Sequence, residues 1–127
     1  MIYRKFSSHS PQEVDQSLRE AALRHKFGVL HVLDLKNTLH DKGIDLDSEV
    51  RVYDVCNPSA ASQALHQDLA TATVLPCRIA VYSDAGGSTI ATVKPTDIFA
   101  ATGLQHADTL AQDVERELFA IIDEAAG

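Results

Sequence analysis

The side chains best suited to chemistry in this 127-residue chain are two cysteines, in Val55-Cys56-Asn57-Pro58 and Leu75-Pro76-Cys77. Cysteine reacts as the thiolate, and the amides and dipole at a helix N-terminus lower a free thiol pKa of about 8.5. Asn57 followed by Pro58 reads as an N-cap and a first helical residue. Cys56 is therefore predicted to sit beside unpaired helix amides, as an activated thiol or as part of an anion-binding nest. Cys77, behind Pro76, opens the next β-rich segment, and a strand–helix–strand return would carry it toward the same end of a sheet. There it would resolve or co-ligate what Cys56 holds. The spacing lacks the Cys-x-x-Cys loop of thioredoxin-type motifs. The opposing reading makes both cysteines small buried hydrophobes at strand ends.

Six histidines, His9, His25, His31, His40, His66 and His106, show no paired metal-ligand spacing. His31 is the polar interruption of an apolar run and is expected to share a face with Val29 and Leu33, either finding a buried partner or lining a pocket. If it converged with Cys56 and Cys77 the three would make a metal site, so a metal-binding domain is a second alternative, although no metal ligand is assigned. His25 lies in the last turn of a helix, where it complements the dipole. A Gly-x-Ser-x-Gly elbow, a P-loop and a dinucleotide fingerprint are absent from the sequence, and no cofactor is expected.

These side chains need a scaffold, and the chain spells one out. Ile2 to Phe6 is a short apolar segment suited to an edge strand. Ser10-Pro11-Gln12-Glu13 is a capping box with proline at the first helical position. Val14, Leu18, Ala21 and Ala22 follow at helical spacing, with Asp15/Arg19 and Glu20/Arg24 as exposed i,i+4 pairs, and Gly28 is expected to stop the helix. Gly28 to Asp34 reads as a strand apolar on both faces. A short helix follows, with Asp34 as its N-cap and Gly43 at its exit.

Glu49 to Cys56 alternates as a strand, with Val50, Val52, Asp54 and Cys56 on one face and Arg51, Tyr53 and Val55 on the other. Pro58 to about Asp68 is a small-residue helix whose Ala61, Ala64 and Leu65 face inward, and Leu69 to Leu75 is expected to be loop. Cys77 to Tyr82 and Ser88 to Val93 form a hairpin about Asp84-Ala85-Gly86-Gly87. Pro95 ends that ladder before a short piece reaching about Ala101. Beyond Gly103 a long helix carries Leu110, Val114, Leu118, Ile121, Ile122 and Ala125.

The result is one α+β domain over residues 1–127, with a mostly antiparallel sheet of about five strands in the order strand, helix, four strands, helix. The helices cover one face, and short extra helices occupy the connections. Because several strands are apolar on both sides, the second face is expected to meet a partner subunit or to close a pocket.

Composition narrows the function. Eleven Lys and Arg against eighteen Asp and Glu give a net charge of -7, which repels phosphate backbones and anionic membranes, so neither nucleic acid nor membrane is an expected partner. No run approaches the ~20 apolar residues of a membrane span, and the N-terminus lacks a signal-peptide core. Two cysteines are too few for a secreted disulfide scaffold, which points to a cytoplasmic protein.

The segments Arg-Val-Tyr-Asp-Val-Cys-Asn-Pro (Arg51 to Pro58) and Leu-Pro-Cys-Arg-Ile-Ala-Val-Tyr (Leu75 to Tyr82) resemble the Domain of Unknown Function 302 family. Phe27-Gly28-Val29, Asp34-Leu35, Lys42-Gly43, Gly86-Gly87 and Pro95 recur in the family's order, so the resemblance covers about Val14 to Pro95. It implies a fold like that of the TATA-box-binding protein, without DNA binding, and it carries over Cys56, Asn57, Pro58, Pro76 and Cys77 as the residues to test. Asp68-Leu69 stands where members often have Asp-Pro, which bears on the conformation of the following loop. No activity comes with the family. The leading expectation is a small-ligand-binding or thiol-redox-sensing domain acting through Cys56 and Cys77. The alternative is a non-catalytic homodimeric binding or assembly module with structural cysteines.

Overall fold

The capping box at Ser10 forms as its spacing requires. In the computed structural model, which describes residues 1–104 and 108–127, the Glu13 N–H donates to Ser10 Oγ and the Ser10 N–H donates to Glu13 Oε1, both at 3.2 Å. This starts helix α1 (Pro11–Arg24). The helix ends at Arg24, one turn before Gly28, and Lys26 beyond it takes a left-handed φ of +62°. The Phe27 N–H then donates back to the Ala22 carbonyl at 2.8 Å, so Gly28 begins the next strand rather than terminating the helix. Arg19 Nε pairs with Asp15 at 3.0 Å as predicted. The Glu20/Arg24 pair does not form: Arg24 reaches Glu124 at 2.9 Å, and Glu20 accepts from Gln16.

The remaining elements are strand β1 (Ile2–Ser7) ahead of α1, then β2 (Gly28–Asp34), α2 (Leu35–Asp41), β3 (Val50–Cys56), α3 (Pro58–Gln67), β4 (Cys77–Asp84), β5 (Gly87–Val93), α4 (Pro95–Ala101) and α5 (Asp108–Ala126). The strands form an antiparallel sheet in the order β1-β5-β4-β3-β2. Asp34 caps α2 by accepting from the Asn37 N–H at 3.0 Å, and Gly43, at φ +80°, leaves it. The β4–β5 hairpin turns through Ala85 and Gly86 at φ +45° and +82°, the pair of positive angles that a tight right-twisted hairpin requires. The segment expected as loop after α3 is instead a 3₁₀ turn over Leu69–Val74. Asp68 drives it, its carboxylate accepting from the Ala70 N–H at 2.8 Å and its carbonyl from the Thr71 hydroxyl at 2.8 Å.

One face of the sheet makes the core. Tyr53, Val55, Ile79, Val81 and Ile90 pack against Val14, Leu18 and Ala21 of α1 and Val114, Leu118, Ile121 and Ile122 of α5. Each fully buried aliphatic side chain there contributes roughly 1.5–3 kcal/mol. By the period-two alternation of a strand, Val50, Val52, Asp54, Ala80 and Tyr82 lie on the other face. None of these is in the buried core, and Val50, Val52 and Tyr82 stay half-buried. At one end of the sheet, Phe99 of α4 and Ala111 of α5 form a smaller cluster with Val74 and Leu75. This tethers α4 and the 3₁₀ turn beside the start of β4.

Candidate functional site

Asn57 is the N-cap of α3, its side-chain oxygen accepting from the Ala60 N–H at 3.0 Å, and Pro58 is the first helical residue. That local reading is correct, but its consequence for Cys56 is reversed. Pro58 has no N–H to offer and Asn57 takes the Ala60 amide, so the first turn is largely satisfied before a thiolate could use it. Burial pushes the Cys56 thiol up instead of down. Cys77 is more deeply held: burial, with the neighbouring Cys56 adding to it, raises it to about 11. Desolvation disfavours the charged form at both sulfurs.

Both cysteines are free and both line one small cavity with Asn57, Pro76, Phe27 and Ala64. The strand register puts Cys77 opposite Val55 rather than Cys56. Cys77 thus joins the core side of the pleat, where it packs against the main cluster, and Cys56 begins on the other side. The cavity is about 20 Å³, room for one water and little more.

His31 is not part of this site. A bulge in β2 between Val29 and His31 shifts the pairing, so Val29 faces Val55 and Val32 faces Tyr53 on the core side, while His31 falls opposite Asp54. The expected shared face with Val29 is lost, because one inserted residue flips everything after it. The imidazole is 64% exposed, 3.7 Å from Asp54. Among the described residues, three or more His, Cys, Asp or Glu side chains do not cluster closely enough to hold a metal ion. His106 lies outside the described residues. His25 caps α1 and is clamped from α5 by Glu117, 2.5 Å from Nδ1, and by Glu124 at Nε2. The Glu124 and Glu117 carboxylates raise its pKa against a smaller opposing effect of burial.

A larger space opens next to Cys77. A cleft of about 280 Å³ lies between the 3₁₀ turn, the start of β4, the end of β5 and α4, with Val74, Pro76, Cys77, Pro95, Ile98 and Phe99 among its walls. The two polar threonines there are already engaged: the Thr73 hydroxyl donates to the Ala70 carbonyl and that of Thr92 to the Arg78 carbonyl. The sequence points to Pro76 and Cys77, but not to Ile98 or Phe99. Those two reach the site only because α4 folds back across the sheet end, and their one signal in the sequence is the apolar pair inside a proline-initiated turn.

The fold and cleft define a small α+β domain with an antiparallel sheet, helices on one face and an apolar recess at the sheet end. The chain belongs to the family described as domain of unknown function DUF302, whose model matches residues 3–125. It is similar to the crystal structure of an uncharacterized conserved DUF302 protein from Bacillus stearothermophilus. That structure superposes with a TM-score of 0.93 at 29% identity, over 98% of this chain and 97% of the other. No curated protein matches the chain. Among the described residues, no helix is long and apolar enough to cross a membrane.

Proposed function

We propose that this domain binds a small, chiefly apolar molecule in the cleft beside Cys77. The observation that carries this is the 280 Å³ recess with walls of Val74, Pro76, Cys77, Ile98 and Phe99, near the lower end of the size range of small-ligand pockets. Its threonine hydroxyls are spent on backbone carbonyls, so apart from the Arg78 guanidinium at its wall a ligand is held by shape and apolar contact. In this reading Cys77 serves as a wall of the cleft and Cys56 as its neighbour, both thiols held up by burial. Free thiols fit a reducing compartment such as the cytoplasm. The test is a titration with indole followed by amide chemical shifts. Saturable shifts confined to residues 73–78 and 93–99, abolished by Ile98→Trp filling the cleft, support the reading. Shifts scattered over the surface, or unchanged in Ile98→Trp, overturn it.

A second reading is a homodimeric assembly module. It is favoured by the second sheet face, where Val50, Val52 and Tyr82 are only half-buried and Phe6 is 54% exposed.

A further inference from the structure

The uncovered sheet face is marked by its charge as well as its hydrophobicity. The molecule carries -7, so two copies repel over most of their surfaces. On the second face the alternation places Arg4, Arg78, Asp54 and Asp84, two positive and two negative, with His31 as the titratable neighbour of Asp54. This face is therefore electrically balanced on an acidic protein. Lys5, on the opposite side of β1, turns to Asp123 of α5 instead.

The order of these residues along β4 is self-complementary. β4 is the central strand of the five, and its second-face residues run Arg78, Ala80, Tyr82, Asp84. Two β4 strands laid over each other antiparallel set Arg78 against Asp84 twice and small Ala80 against large Tyr82 twice. Laid parallel, they set like charge on like charge. Both arrangements are isologous: a two-fold axis across the strands gives the first and one along them the second, and the charges favour the first.

We propose that a second copy of this chain covers the sheet, face to face, with the two β4 strands antiparallel and Arg78 of each reaching Asp84 of the other. This rests on the assembly reading above and names its surface and register. Five strands about 4.8 Å apart and about 20 Å long present roughly 500 Å² before side-chain relief is counted. This is of the order of the about 800 Å² that each partner of a stable interface buries.

Sedimentation velocity of the full chain tests this, with circular dichroism verifying each variant's fold. The wild type is expected at twice the 13.8 kDa chain mass. Arg78→Glu, at a side chain 73% exposed that lies 3.5 Å from Asp54 of its own chain and would turn to Asp84 of the other copy, is expected to raise the dimer dissociation constant about 100-fold or more through like-charge contact. Asp84→Lys alone should do the same, and the double variant should recover dimer. Because Asp84 also accepts from the Thr89 hydroxyl, Ala80→Glu serves as a second probe of the same surface and is expected to give monomer. A monomeric wild type at millimolar concentration overturns both the assembly reading and this one. A dimer that persists through Arg78→Glu and Ala80→Glu leaves the assembly reading standing and overturns the face. A dimer broken by Ala80→Glu but not recovered by the charge swap, in folded variants, overturns the antiparallel register.

Discussion

Cys77 stands opposite Val55 in the β3–β4 ladder, one residue out of step with Cys56. On a pleat of period two that offset starts the two side chains from opposite sides of the sheet, yet both line the same small cavity, and Cys77 is the more deeply buried.

Both thiols are held above their ordinary value, Cys77 to about 11. Native protein near neutral pH should therefore alkylate with iodoacetamide more slowly than a free thiol, and Cys77 more slowly than Cys56. Unfolding in guanidinium should bring both to the rate of free cysteine. Mass spectrometry of quenched time points reads this, and rapid modification of native Cys56 at about pH 6 would contradict it.

The His25 clamp predicts a pH window. His25 is raised in the folded state, so its contribution is complete below the ordinary value of about 6.5 and is lost as pH rises through the higher folded value. Hydrogen bonds from His25 and Arg24 hold Glu124 below its ordinary value; its contribution is lost as pH falls through that lowered value. The Tm difference between wild type and His25→Gln should be largest in mildly acidic solution and shrink toward alkaline pH. A difference that does not vary with pH would refute the clamp.

Tyr53 is fully buried and its hydroxyl donates to Asp15 Oδ1 at 2.5 Å. Burial would raise the Asp15 carboxyl, but the hydrogen bonds from Tyr53 and Arg19 outweigh it and hold the group low. Tyr53→Phe is expected to cost about 1–2 kcal/mol and to move Asp15 upward. Urea denaturation and carboxyl titration by NMR measure the two effects.

Gly87 and Gly86 should respond differently to alanine. A Cβ at Gly87 would stand 2.1 Å from the Ser7 carbonyl oxygen, on the backbone of the paired edge strand. Gly87→Ala should therefore destabilise by about 1–3 kcal/mol and lower hydrogen-exchange protection in β1. At Gly86 the space is open and only its φ of +82° is strained, so Gly86→Ala should cost about 1 kcal/mol and leave β1 protected.

Local features were legible in the residues because their causes are local. The Ser10 capping box, the Asp34 and Asn57 caps, the positive-φ hairpin and the apolar stripe of α5 each depend on neighbours within a turn or two. The turn after Asp68 is local too, yet its residues do not distinguish a turn from a loop, since aspartate there favours a cap and a loop start equally. His31 went to the wrong face because a bulge of one residue leaves no mark on alternation until the partner strand is known.

The α+β element order and the family follow from the residues alone, and so does the singling out of Pro76 and Cys77 as members of a candidate thiol site. How deeply those thiols are buried comes from the fold and not from the residues around them. A helix start predicts activation, but burial by residues far along the chain desolvates the thiolate and reverses its sign. The fold likewise decided that Ile98 and Phe99 complete the cleft and that Arg78 and Asp84 bracket an uncovered face, since both follow from which strands are neighbours and on which side the helices fall.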